Sequence, residues 1–171
     1  MYFFTSDEHY QHANIIKYCN RPFENVFEMD KELIRRHNEV VKDNDIVVHA
    51  GDFMMGNKAF AAKYIDQLKG SHIFIKGSHD RWLKDAPQIW EKSIEHTHIV
   101  VCHYSMRVWP KSHYGSWQLY GHSHGGLEPI GKQWDIGVDN NNFYPVSFEQ
   151  LKEIMKSRPD SFNLIKERRQ E

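Results

Sequence analysis

The chain has 171 residues, with 22 lysines and arginines against 23 acidic residues, a formal charge of -1 and 40% hydrophobic residues. That length suits one compact core rather than two, and the near-neutral charge leaves no global basic field, so long nucleic acid is not an expected partner. No apolar run approaches the roughly 20 residues needed to span a bilayer. The two cysteines, Cys19 and Cys102, stand in a chain that opens without a basic, apolar leader, which predicts a reduced, cytoplasmic protein.

Tyr2-Phe3-Phe4 reads as a short buried strand. Asn14 to Cys19 follows as a short helix that Asn20-Arg21-Pro22 stops. From Glu28 to Lys42, apolar residues at Met29, Leu33, Ile34, Val40 and Val41 alternate with charges at helical spacing, and Asn25 upstream can cap the helix. Asp43-Asn44-Asp45 turns the chain into a second strand, Ile46-Val47-Val48. Asn57 opens a helix to Leu68, Gly70 ends it, and Ile73-Phe74-Ile75 is the third strand. Beyond residue 80 the strands arrive with few helices between them: Ile99-Val100-Val101, Trp117 to His122, and Gln133 to Val138. Ser147 lies three residues before Gln150, the spacing of a capping box, and opens a last helix to about Ser157. Residues 158–171 read as a charged C-terminal tail, solvated and partly frayed, on a single domain spanning 1–171. The α/β class follows, with one mixed sheet or two sheets packed together.

Histidine is the compositional outlier, with 12 copies, many of them at strand ends, an enrichment that points to metal. Five clusters of metal-ligand residue types close short apolar stretches: Asp7-Glu8-His9, Gly51-Asp52, Gly77-Ser78-His79-Asp80, Cys102-His103 and Gly121-His122-Ser123-His124. Ligands of open α/β sheets collect at the C-terminal ends of strands. Asp7 and His9, two apart on a segment read as extended, point to one side. Asp52 follows a glycine that permits close backbone approach, and a carboxylate has two oxygens with which to bridge cations. His122 and His124 repeat the alternate spacing. Alone, any one of these histidines is better explained by a structural hydrogen bond than by a metal, and it is the five clusters in series that reverse this.

Together, in this order, the segments resemble the calcineurin-like metallophosphoesterases, and among them the small, single-domain bacterial or phage type. The match is DxH at Asp7 and His9, GD at Gly51 and Asp52, a GNHD-like box at Gly77 to Asp80, His103, and GHxH at Gly121 to His124, over about residues 1–139. The resemblance implies two mixed β-sheets packed as a sandwich and flanked by helices. It implies a first metal held by Asp7, His9, Asp52 and His124 and a second held by Asp52, His103 and His122, with position 78 completing the second set. It assigns His79 to phosphate contact and protonation of the leaving oxygen, with Asp80 orienting it. Where the family has asparagine, this chain has Ser78, whose shorter hydroxyl reaches less far toward a metal.

The chemistry stands on its own terms. Two cations about 3.5 to 4 Å apart bind phosphate oxygens, activate water and stabilise attacking and leaving oxygens together, while histidine is the side chain suited to proton transfer near neutrality. Two divalent transition metals are the implied cofactors, from manganese, iron, zinc, nickel and cobalt, with manganese favoured. The expected activity is hydrolysis of small phosphate esters, diesters foremost. The alternative is a binding module of the same fold, or a weakened enzyme, with its second metal site impaired by Ser78. Arg21 and Arg107 are candidate phosphate contacts, or ordinary surface arginines. His12 and Asn14 either support the first metal site or sit at the surface as capping residues. The segment Tyr104 to Trp117 stacks a nucleoside or walls the cleft, or else covers a core edge.

Overall fold

The computed structural model describes residues 1–165. Two four-stranded sheets form the frame. In the first, β1 (Tyr2–Thr5), β2 (Ile46–His49) and β3 (Ser71–Phe74) run parallel, and β8 (Val146–Ser147) joins β1 antiparallel, in the order β3-β2-β1-β8. In the second, β5 (Thr97–Cys102), β6 (Trp117–Tyr120) and β7 (Gln133–Asp135) run parallel, and β4 (Ile89–Ile94) pairs antiparallel with β5. Both sheets are mixed, as expected, and the alternative of one mixed sheet is set aside.

Alternation along the strands builds two layers from one sheet. Phe4 and Val48 face the second sheet, where they meet Ile99, Val101, Leu119 and Ile136. Phe3 and Val47 face the other way, onto Val40 and Val41 at the end of α2 (Val26–Val40). Covered on both faces, such strands read as continuous apolar runs rather than alternating ones. On that outer face α1 (Ala13–Tyr18), α2 and α3 (Lys58–Ile65) enclose a second cluster around Met29, Leu33, Phe53 and Met54. The last helix, α4 (Phe148–Ser157), closes the inter-sheet core with Leu151 and Met155. No helix among the described residues is long and apolar enough to cross a membrane.

The expected caps form. Asn25 accepts from Phe27 N and Glu28 N, Asn57 accepts from Phe60 N, and Ser147 with Gln150 makes the reciprocal box. Several boundaries differ. Strand β6 stops at Tyr120 and β7 at Asp135, because the chain then turns into the loops that carry His122 and Asp139. Strand β4 has no counterpart in the sequence reading: its residues Ile-Trp-Glu-Lys-Ser-Ile lie on an edge strand and are half-buried or exposed, so no apolar run marks them. Residues 158–165 are not a free tail. Ser161 is buried, Ile165 N donates to His113 O at 2.9 Å, and Lys132 Nζ donates to Arg158 O at 2.7 Å. The rest of the charged tail, 166–171, lies outside the described residues.

Leu119 is fully buried between the sheets, so Leu119→Ala should lower the unfolding free energy by about 2–5 kcal/mol, and loss of the cap in Ser147→Ala by about 1 kcal/mol. Urea titration checks both; a Leu119 effect no larger than that of the cap would mean that the sheets do not share one packed core.

Candidate metal centre

Every candidate side chain leaves from a loop just beyond a strand's C-terminal end: Asp7 and His9 after β1, Asp52 after β2, Ser78 and His79 after β3, His103 after β5, His122 and His124 after β6. The strands in each sheet that carry them are parallel, so their ends lie on one edge. Asp7 and His9 do face the same way, yet not from extended backbone. Their φ angles are 60° and 55°, and Asp52, His122 and His124 share the left-handed region at 54°, 67° and 47°. Non-glycine residues held there cost of order 1–3 kcal/mol each and gather at functional sites. Backbone hydrogen bonds at 3.0 Å, from Asp7 N to Gly51 O and His9 N to Asp52 O, hold two of these turns. Gly51, at φ 100°, is required by conformation, and Gly121 by proximity: a Cβ there would strike Ser6 Oγ and Asp7 Oδ2.

Two sets of donors flank Asp52, and a further group, Cys19, His124 and Asp139, shares His124 with the first. One donor atom from each of Asp7, His9 and His124 lies within 4.8 Å of the others, and Asp52, His103 and His122 form a second such set. Asp52 stands between them, its Oδ2 3.3 Å from His103 Nε2 and 3.7 Å from His9 Nε2. Three atoms facing this space, Asp7 Oδ1, His9 Nε2 and His103 Nε2, are buried without a hydrogen-bond partner. Such atoms are costly unless something occupies the space between them. A donor set of carboxylate and imidazole fits divalent transition metals.

The outer ring nitrogens are anchored. His103 Nδ1 lies 2.9 Å from Ala50 O, and since a carbonyl only accepts, Nδ1 carries a proton and Nε2 is the atom that faces the pocket. His124 Nδ1 sits 2.7 Å from Asp139 Oδ2, and His9 Nδ1 sits 3.3 Å from His12 Nδ1. Electrostatics follow from burial. Desolvation raises Asp7 to about 7, against the pull of His103 and His124, and lowers His9 to about 3. Burial also works against the Asp52 carboxylate, but His103, His9 and the His79 N–H outweigh it and hold Asp52 well below the usual range. In His124 burial opposes the charged form and Asp139 outweighs it, so its pKa is raised.

His79 stands at the mouth, its side chain 40% exposed, its backbone N–H donating to Asp52 Oδ1 at 2.8 Å and its ring 5.2 Å from that of His9. Ser78 Oγ donates to Asp52 Oδ2 at 3.0 Å. Asp80 is buried and does not bond the His79 ring. Its carboxylate accepts from Asp52 N, Phe53 N, Gly77 N and Trp82 Nε1, so it orders the loop that carries His79 rather than the imidazole itself.

The two arginines expected as phosphate contacts differ in setting. Arg21 has a fully buried side chain: Nε and Nη2 bond Asp139 at 2.8 Å, Nη1 donates to Glu8 O and Nη2 to Asp7 O. With its donors engaged inside the protein, it supports the β1 loop from behind and has no face for substrate. Arg107 is exposed and lies 4.6 Å over the Phe162 ring, on the C-terminal segment. His12 supports the first donor set through His9, while Asn14 is exposed on α1 and caps nothing. The aromatic segment divides: Tyr104, 48% exposed, sits edge-on to His103 and His122, whereas Trp109 is buried and bonded to Ser116 O.

Asp139 and Asp135 escaped the sequence reading. Asp139 ties His124 to Arg21, and Asp135 accepts from Ser123 Oγ and Gly125 N, fixing the last histidine loop. The local signal is slight: Asp135 closes a short strand and Asp139 follows four residues on, in a 3-10 turn.

No protein-family model matches the chain. Over 167 residues it is 35% identical to an uncharacterized protein of Methanocaldococcus jannaschii, with 90% of each chain covered. A crystal structure of a protein of unknown function from Aquifex aeolicus superimposes with a TM-score of 0.70 at 19% identity, covering 90% of this chain and 98% of that one. A looser overlap, TM-score 0.42 at 19% identity and covering 80% and 70%, is to a Streptococcus pneumoniae protein described as a predicted phosphoesterase. The chain and the archaeal protein form one family, the Aquifex structure shares the fold, and the five ordered segments that resemble the calcineurin-like metallophosphoesterases gather on one edge of a two-sheet α/β frame.

Because Asp7 carries a raised pKa of about 7, protons compete with any cation at its carboxylate. Metal affinity should therefore fall as pH drops through about 7 and rise toward pH 8, with protons released on binding. Calorimetry in two buffers of different ionisation enthalpy measures that release; pH-independent uptake without proton release would show that Asp7 is not a ligand.

Proposed function

We propose that the protein hydrolyses phosphodiesters at a dinuclear centre, with Asp7, His9, Asp52 and His124 holding one divalent ion and Asp52, His103 and His122 the other. The observation that carries the reading is the set of buried, unpartnered donor atoms on both sides of Asp52. Bound there, divalent ions would supply Lewis acidity and positive charge against the phosphate oxygens. The chain's own residues do the rest. His79, exposed at the mouth and held by its backbone bond to Asp52, delivers a proton to the leaving oxygen. Asp80 keeps the loop of His79 in register with that of Asp52. Ala50 O behind His103 and Asp139 behind His124 hold the Nδ1 of each ring, which leaves Nε2 of each free to meet an ion.

Activity toward an activated aryl phosphodiester is expected with manganese and is removed by chelation. His79→Ala should lower the chemical rate on the order of a hundredfold and leave metal content intact, whereas Asp52→Ala should empty the site. Metal analysis beside single-turnover rates separates the two; equal metal loss in both variants would make His79 a ligand rather than an acid.

Ser78 favours a second reading of the same site, as a weakened enzyme or a binding module. Its hydroxyl is engaged with Asp52, and a serine oxygen reaches less far than an asparagine amide. One tightly held ion and a second that loads only in excess are the expected result, with Ser78→Asn raising second-site occupancy and turnover at limiting metal. Anomalous scattering at each site decides this, and equal occupancy in both proteins would overturn it.

A further inference from the structure

Immediately beyond His79 lies an open cavity of about 770 Å³, lined on one side by Gly56, Asn57 and Lys58 and on the other by Arg81 to Ala86. Its volume is in the range that takes a small-molecule ligand. The near wall is continuous with the candidate metal centre. Arg81 is two residues from His79, so their Cα atoms are at most roughly 7 Å apart, and Arg81 N donates to His79 O. Trp82 Nε1 donates to Asp80 Oδ1, and the other oxygen of that carboxylate accepts from Asp52 N. A phosphodiester seated between the donor sets, with its leaving oxygen at His79, would have this space beginning two residues along the chain from its proton donor.

The lining has a definite chemistry. Lys58, Arg81 and Lys84 bring three cations against one carboxylate, Asp85, in a chain whose formal charge is -1. Among the described residues none of the three makes an ion pair or a side-chain hydrogen bond. The other large surface cavity differs, since its Arg35 and Arg36 are neutralised by Glu32. Trp82 is half-buried and fixed: its ring packs 5.9 Å from Phe53 and 5.4 Å from Phe74, and its N–H is taken by Asp80. A held aromatic ring beside unpaired cations fits a flat base next to a phosphate.

Resting on the phosphodiesterase reading above, we propose that this cavity is the leaving-group subsite and that it takes a nucleotide: a base against Trp82 and a second phosphate among Lys58, Arg81 and Lys84. The reaction is then hydrolysis of a phosphodiester whose leaving nucleoside carries its own phosphate. Water adds its oxygen to phosphorus, the bond from phosphorus to the leaving O5′ breaks, that oxygen takes its proton from His79, and the proton lost by the attacking water returns to His79 through solvent.

Two experiments test this, one of which needs no turnover. Adenosine 3′-monophosphate is titrated into metal-free protein by calorimetry, beside adenosine alone and inorganic phosphate alone. The nucleotide should bind more tightly than either part, and Arg81→Ala together with Lys84→Ala, both at exposed positions, should weaken it about tenfold, the scale of one charge-assisted hydrogen bond. In the second, metal-loaded enzyme is given the dinucleotide ApA and the same molecule with a 3′-terminal phosphate. The phosphorylated form should have the higher kcat/KM, and the double variant should erase that ratio. Hydrolysis of neither dinucleotide, with nucleotide binding intact, would count against the phosphodiesterase reading and leave the subsite standing. No nucleotide binding, binding matched by inorganic phosphate, or a ratio untouched by the double variant would overturn the subsite.

Discussion

A small space walled by carboxylate and imidazole atoms that have no hydrogen-bond partners is the constraint on which the rest of this structure depends. Asp7, His9 and His103 each present a buried, unsatisfied atom to it, an arrangement that costs stability unless something occupies the space between them. Polar groups stand behind several of the donors. The Ala50 carbonyl takes the far nitrogen of His103, and Asp139 that of His124. Arg21, itself buried, neutralises Asp139 and caps the carbonyls of Asp7 and Glu8. The strained left-handed turns at five of these positions belong to the same design, since they aim side chains that relaxed strands would splay.

A second polar layer lies behind the first. Glu8 points away from the pocket, where its Oε1 accepts from Thr5 Oγ1 and meets His49 Nδ1 at 3.0 Å, and His49 Nε2 meets His72 Nδ1 at 2.9 Å. Burial pushes Glu8 up to about 7 and His49 down to about 3, so desolvation disfavours the charged form of each group and a hydrogen-bonded layer takes the place of a buried ion pair. Glu8 thereby anchors the middle of the Asp7-Glu8-His9 turn to the sheet, and its neighbours are left facing the opposite side. Asp80 has the corresponding role across the β2 and β3 loops: one carboxylate binds the backbone of both and the Trp82 ring, which makes the donor sets and the outer cavity parts of one rigid assembly.

The sequence by itself determined the strands of the first half, the helix caps at Asn25, Asn57 and Ser147, and the five donor clusters, because each is written in contiguous residues: apolar runs, single side chains that satisfy helix N–H groups, and ligand types at strand ends. It did not carry β4, an edge strand with no buried face to impose a pattern, nor the docking of residues 158–165, which rests on contacts with His113 and Lys132 far away in the chain. Tertiary structure alone decided which groups support which. Arg21 reads as a phosphate contact until Asp139, 118 positions later, is seen to take its guanidinium, and Asp80 reads as a partner of its neighbour His79 until its oxygens are found on the backbone of Asp52 and Phe53. Local spacing reports the identity and order of chemical groups, whereas burial and the pairing of distant polar atoms exist only once the sheets have packed.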